Sequence, residues 1–172
     1  MRRVIVIGSG GSGKTTFSRR LGEITGLPVV HLDKLYWNPG WVKTPRDEWI
    51  EITKSEIAKP EWIIDGNFGN TRAMRMAAAD TIIMLDLPRL TCIYRIFKRT
   101  LTYREGSRPD MADGCRERFD PEFILWVWNY PKQGGRRAYE EIASLENKRV
   151  VILKNQQEVD AFLKDPYANQ AR

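Results

Sequence analysis

Gly8-Ser9-Gly10-Gly11-Ser12-Gly13-Lys14-Thr15 follows the apolar run Val4-Ile5-Val6-Ile7 and precedes a segment with helical spacing. Strand, glycine-rich turn and helix in that order, with G-x-x-x-x-G-K-[ST] across the turn, form the pattern of a phosphate-binding loop. Glycine serves where the backbone takes φ > 0 or approaches a ligand with no Cβ between. The loop amides then make a concave nest for phosphate oxygens. The helix N-terminus adds its partial positive charge. Lys14 reaches the β- and γ-phosphates, and the Thr15 hydroxyl suits a magnesium ion. The candidate nucleotide-binding residues are Gly8, Gly10, Gly11, Ser12, Gly13, Lys14, Thr15 and Thr16. A glycine turn that merely joins strand to helix would match this pattern by chance in about one chain in a hundred.

The chain has 172 residues, of which 42% are hydrophobic and 29% charged. That reads as one globular domain with a substantial core. Lys and Arg number 28 against 22 Asp and Glu, a net charge of +6. This balance favours anionic partners, nucleotides or nucleic acid, without choosing between them. Cys92 and Cys115 form neither a disulfide framework nor a C-x-x-C pair, so a reducing, cytoplasmic setting is expected. The first strand begins almost at the N-terminus and no apolar run is long enough for a bilayer, so neither signal peptide nor membrane partner is expected.

Outward from the loop, residues 3–7 read as a buried parallel strand and 14–25 as a helix stopped by Gly26 and Pro28. Residues 27–32 read as a second strand, with Asp33 at its end. Residues 34–44 are aromatic and irregular. Thr44 reads as the N-cap of a helix to about residue 59, with Pro45 at its first position. Residues 61–66 read as a third strand ending in Asp65, 71–79 as a short helix, and 81–86 as a fourth strand ending in Asp86. Residues 89–103 form an arginine-bearing helix, and 104–120 a polar loop. A helix restarts at Asp120-Pro121 and is interrupted near Pro131. Residues 149–153 make a fifth strand and 156–163 a last helix. Strands alternating with helices argue for a three-layer α/β domain with a parallel sheet. Ligands of such sheets bind outside the carboxyl ends of the strands, where the loop, Asp33, Asp65 and Asp86 should meet.

These pieces together resemble the nucleoside monophosphate kinase group, of which adenylate kinase is the best-known member. Residues 3–15, His31-Leu32-Asp33, Trp62-Ile63-Ile64-Asp65-Gly66-Asn67 and Leu85-Asp86-Leu87-Pro88-Arg89 resemble small bacterial proteins called DNA topology modulation proteins, an adenylate-kinase-related family. The resemblance implies a P-loop NTPase fold with five parallel strands in the order 2-3-1-4-5, a lid over the triphosphate, and phosphoryl transfer to a small acceptor. Two departures bear on that acceptor. The 33–60 acceptor-side segment is shorter and more aromatic than a full nucleoside-monophosphate-binding domain. Asn67-Phe68-Gly69-Asn70 stands where adenylate kinase has Phe-Pro-Arg, with Arg72 near enough to replace that arginine.

Phosphoryl transfer needs charge neutralisation and in-line positioning more than covalent chemistry. Lys14 holds phosphate. Thr15, with Asp65 through water, is the candidate magnesium site. Asp33 is the candidate to bind the acceptor or take its proton. Arginine suits a trianionic transition state because it donates in pairs and stays charged. Arg95 and Arg99 share a helix face, Arg104 begins the 104–120 lid, and Arg136 lies on the returning helix. Trp37 and Trp41 flank a turn near Asp33 and either stack on a base or sugar or cover the sheet. His31 reads as a core or cap residue, and Asp86 as part of a structural turn. The expectation is an ATP- and magnesium-dependent small-molecule kinase, monomer or homodimer, acting on a nucleotide or nucleoside-like acceptor. The alternative is an ATP-binding regulator associated with DNA topology. The basic residues fall in the lid and not in a recognisable nucleic-acid reader, so nucleic acid is the less favoured partner.

Overall fold

The computed structural model describes residues 1–103, 114–115 and 119–168. In chain order the elements are β1 (Arg3–Gly8), α1 (Lys14–Thr25), β2 (Val29–His31), α2 (Leu32–Tyr36), β3 (Trp37–Asn38), β4 (Val42–Lys43), α3 (Arg46–Ile57), β5 (Trp62–Asp65) and α4 (Gly69–Ala78). Then come β6 (Thr81–Leu85), α5 (Arg89–Thr102), α6 (Pro121–Asn129), a 3-10 turn (Tyr130–Lys132), α7 (Gly134–Ala143), β7 (Arg149–Leu153) and α8 (Gln156–Lys164). Five strands form one sheet in the order β2-β5-β1-β6-β7, all parallel. Counting these strands alone, the order is 2-3-1-4-5, as the resemblance implied.

Side-chain alternation along each central strand supplies both faces of the sheet. Val4 and Val6 of β1, Ile63 of β5, and Ile83 and Leu85 of β6 join Phe17 and Leu21 of α1, Ile96 of α5 and Val159 of α8 in one core. Ile5 and Ile7, Trp62 and Ile64, and Ile82 and Met84 point the other way, onto Trp49 of α3, Met76 of α4 and Ala138 and Ile142 of α7. The uninterrupted apolar runs are therefore the signature of strands covered on both sides. β1 is central, so the loop that follows it emerges from the most enclosed part of the sheet.

Local chemistry sets the boundaries. Gly26 ends α1 at φ 75°, with its amide donating to the Gly22 carbonyl at 2.8 Å. Asp120 caps α6 by accepting the Phe123 amide at 3.1 Å, with Pro121 in the first turn. The expectation of irregular structure over 34–44 needs correction. Leu32–Tyr36 is a helical turn and β3 pairs antiparallel with β4 in a small hairpin. β2 is correspondingly shorter than expected, because buried Leu32 already belongs to that turn. Thr44 does not cap α3. Its amide and hydroxyl both donate to the Tyr36 carbonyl, at 2.9 and 2.7 Å, closing the hairpin base, and Pro45 occupies the cap position. Of the expected 104–120 loop, residues 104–113 and 116–118 lie outside the described residues. No helix among the described residues is long and apolar enough to cross a membrane.

Candidate active site

The loop after β1 holds Gly11 at φ 73° and Gly13 at φ 92°, left-handed conformations that favour glycine. Space adds a second constraint at Gly11, where a Cβ would run into the Cys92 carbonyl of α5. The Lys14 Nζ turns back over the loop, donating to the Gly8 and Ser9 carbonyls at 3.0 and 2.9 Å. Burial pushes the Lys14 ammonium below the ordinary lysine value, while the Asp33 and Asp65 carboxylates pull it back up. The Ser9 and Ser12 hydroxyls are buried with no hydrogen-bond partner among the described residues. A half-buried cation and two spare hydroxyls at an amide-rich turn fit a polyanion such as a triphosphate.

A second loop, after β5, fastens the first. The Asn67 Nδ2 donates to the Gly8 carbonyl at 2.5 Å, and its Oδ1 accepts the Gly8 amide at 3.2 Å. Arg75 of α4 is fully buried and donates to the Gly66, Asn67 and Phe68 carbonyls, each at 3.0 Å. Three carbonyls disperse its charge, yet burial still pushes the guanidinium down from its ordinary value. Arg75 thus holds Asn67, and Asn67 holds Gly8.

An open cleft of about 920 Å³ runs from this loop across the carboxyl ends of the strands. Gly10, Gly11, Gly13, Lys14, Thr15 and Thr16 line one part. Asp33, His31, Trp37, Trp41 and Phe68 line another, and Arg95, Arg99, Phe123 and Trp126 approach from α5 and α6. Arg95 also braces the loop, donating to the Ser12 carbonyl at 3.1 Å and to Gln156 Oε1 at 2.8 Å. Arg95, Gln156, Ser12 and Thr16 border a smaller hollow of about 210 Å³ against α8.

His31 reads differently in place. β2 pairs with β5 so that His31 stands opposite Asp65, and His31 Nδ1 meets Asp65 Oδ2 at 2.8 Å. The imidazole lines the cleft, whereas Asp65 sits behind it with its side chain 3% exposed. Asp33 reaches the cleft from α2, two residues past His31.

Several expected site residues go elsewhere. Arg72 is not an acceptor arginine. It is buried and forms a two-point ion pair with Glu141, at 2.6 and 2.7 Å, tying α4 to α7. Hydrogen bonding to Glu141 raises its pKa against the opposing effect of burial. Arg136 does not line the cleft; it is exposed and pairs with Glu140 one turn along α7 at 2.8 Å. Asp86 accepts the Tyr139 hydroxyl at 2.6 Å and stays out of the cleft. Arg104 lies outside the described residues. Conversely, sequence reasoning passed over Asn67, Arg19, Lys43, Phe123 and Trp126. Arg19 lies one helical turn past Thr15, and Phe123 and Trp126 share a face at i, i+3, so spacing carried a signal for both sets. The hold of Asn67 on Gly8 joins residues 59 apart in sequence and left none.

No protein-family model matches the sequence, and no curated protein matches it. Solved structures do. Shikimate kinase from Acinetobacter baumannii, in complex with shikimate, superposes with a TM-score of 0.62 at 11% identity, over 100% of this chain and 96% of that one. Shikimate kinase from Bacteroides thetaiotaomicron gives 0.55 at 14% identity, over 96% of each chain. A gluconokinase from Sinorhizobium meliloti 1021 gives 0.54 at 16% identity, over 98% of this chain and 94% of that chain. At these identities the likeness establishes the fold alone: a three-layer α/β domain with a five-stranded parallel sheet.

Proposed function

We propose that this chain is an ATP- and magnesium-dependent small-molecule kinase acting on a nucleotide or nucleoside-like acceptor. The supporting observation is that the phosphate loop and a second compartment carrying Asp33, Trp37 and Trp41 line one continuous cleft. A hydrolase or a nucleotide switch needs only the first compartment. The fold neighbours named shikimate kinase and gluconokinase support the same class. The chain is read as one domain, with 33–60 on the acceptor side and 104–120, including Arg104, as the lid.

In this reading the loop amides, Lys14, Arg95 and Arg99 would hold the triphosphate and Thr15 the metal, with Asp65 acting through water although His31 stands between it and the cleft. Magnesium, when bound, neutralises charge on the β- and γ-phosphate oxygens. Asp33 binds the acceptor and takes its hydroxyl proton as that oxygen bonds to the γ-phosphorus and the bond to the ADP oxygen breaks. A phosphate acceptor has no such proton to give, and Asp33 then serves binding alone.

A coupled ADP-release screen over nucleoside monophosphates, nucleosides and small alcohols tests the proposal. Acceptor-dependent release is expected, falling on the order of 10²–10³-fold in Lys14→Ala with the fold intact by circular dichroism. Phosphate release that no acceptor diverts, or turnover surviving in the variant, would sink it.

A further inference from the structure

We infer that the β3–β4 hairpin is the recognition element for the acceptor, and that the acceptor is a ring-bearing anion. Its flat ring lies on the Trp37 and Trp41 indoles, and its phosphate or carboxylate faces Lys43. This rests on the kinase reading above.

The backbone supplies the first argument. Trp41 is held at φ 65°, directly after Gly40 at φ 76°. A bulky residue in the left-handed region is an outlier, and such residues persist where the surroundings over-determine them, often at ligand clamps. Glycine or asparagine would take this turn with less strain, so the indole itself is what the position provides.

Strand geometry supplies the second. Trp37 pairs across the ladder with Lys43, which puts these two on one face of the hairpin, and the Trp41 ring of the turn comes back onto Trp37 on that side. All three line the cleft, while Asn38 and Val42, paired on the opposite face, do not.

The third argument is bracing. The Trp37 and Trp41 rings meet edge to face with centroids 5.5 Å apart, forming a corner and not a closed stack. Trp37 leans on Tyr36 at 5.0 Å, and Tyr36 packs on fully buried Trp49 at 5.1 Å and on Phe68 at 4.6 Å. The hairpin tip is tied by the Gly40 amide to the Gly114 carbonyl at 3.4 Å.

Charge completes the ligand class. Lys14, Arg19, Lys43, Arg95 and Arg99 face the cleft against Asp33 and Asp120, so the enclosed field favours anions. An indole corner selects a flat face, whether an aromatic base or the CH face of a sugar ring. Nucleoside monophosphates and ring sugar phosphates or acids share this chemistry.

The test measures acceptor and ATP kinetics with nucleoside monophosphates, the parent nucleosides, ring sugar phosphates and open-chain polyols. Trp41→Asn removes the ring while suiting the turn. It should raise the acceptor KM about tenfold or more, leave the ATP KM within about twofold, and leave Tm unchanged or higher. Lys43→Gln should raise KM for the anionic acceptors and not for nucleosides. A rise in the ATP KM instead would put the hairpin on the donor side and overturn the inference while the kinase reading stands. A lower Tm with unchanged kinetics would make the indoles structural and overturn it as well. If no acceptor turns over in the parent protein, the kinase reading fails. Tryptophan fluorescence titrated with AMP and with a ring sugar phosphate then decides the inference alone. Quenching that Trp41→Asn abolishes supports it, and no quenching by either ligand overturns it.

Discussion

Gly8 makes three side-chain hydrogen bonds: its amide donates to Asn67 Oδ1, and its carbonyl accepts from Asn67 Nδ2 and Lys14 Nζ. If a triphosphate draws the Lys14 ammonium off the Gly8 and Ser9 carbonyls, the Asn67 amide still holds Gly8, beside the pairing of Gly8 with Leu85 of β6. Asn67→Ala should therefore destabilise the fold by about 1–2 kcal/mol in urea titration. It should also raise the ATP KM several-fold without changing the acceptor KM, because the loop loses its preset shape. An unchanged ATP KM would show that the glycine backbone keeps that shape unaided. At this scale the sequence was informative where chemistry is local and silent where it is not. Lys14 and Thr15 were legible because the loop motif is contiguous. Arg72 could not be told from an acceptor ligand, because its partner is the distant Glu141, and nothing marked Arg75 as the residue that holds the carbonyls of residues 66–68.

Among the elements, β1 and β6 are tied at their N-terminal ends by Asp80. Its Oδ2 accepts the Arg2 and Arg3 amides, each at 2.9 Å, and its Oδ1 accepts the Thr81 hydroxyl at 2.7 Å. Burial alone would raise this carboxyl, but the Thr81, Arg3 and Arg2 hydrogen bonds outweigh it and the net shift is downward from 3.8. The folded pKa thus lies below the unfolded one. Its stabilisation is full above about pH 4 and fades as pH falls through the lower, folded value. Asp80→Asn should lower Tm at neutral pH, and the gap to the parent should narrow only in acid below about pH 4. A gap constant across that range would mean that the carboxylate charge adds nothing. The five strands of the main sheet were readable because β-branched apolar runs between helical segments admit little else. The hairpin was not, because two-residue strands carry no period. Thr44 was misassigned for a related reason: its position suits a cap, and its true acceptor, the Tyr36 carbonyl, is visible only once the hairpin is closed.

Across the whole molecule, a net charge of +6 and a cleft lined by five Lys and Arg side chains make anion binding a global stabiliser. Saturating Mg-ATP near 100-fold over Kd should add about 2.7 kcal/mol, a rise in Tm of about 5–10 °C for a domain of this size. Scanning fluorimetry reads it, and Lys14→Ala should lose most of the rise. A parent protein whose Tm ignores ATP would contradict the donor site outright. The convergence of loop, Asp33 and the arginines of α5 on one cleft followed from the rule that parallel sheets bind at their carboxyl edge. The pairing of His31 with Asp65 did not, because it depends on how β2 registers against β5.

The central place of β1 has a consequence for how the two halves of the cleft open. β1 is bonded on both sides, to β5 and β6, and Val4, Ile5, Val6 and Ile7 are fully enclosed. Its amides should exchange with solvent deuterium only when the whole domain unfolds. The β3–β4 ladder joins strands of two residues apiece, with Asn38, Val42 and Lys43 exposed, and its amides should exchange by local opening orders of magnitude faster. The phosphate loop is thus built on the slowest-opening part of the chain, whereas the hairpin's backbone rests on a ladder that opens locally and is steadied by the packing of its side chains.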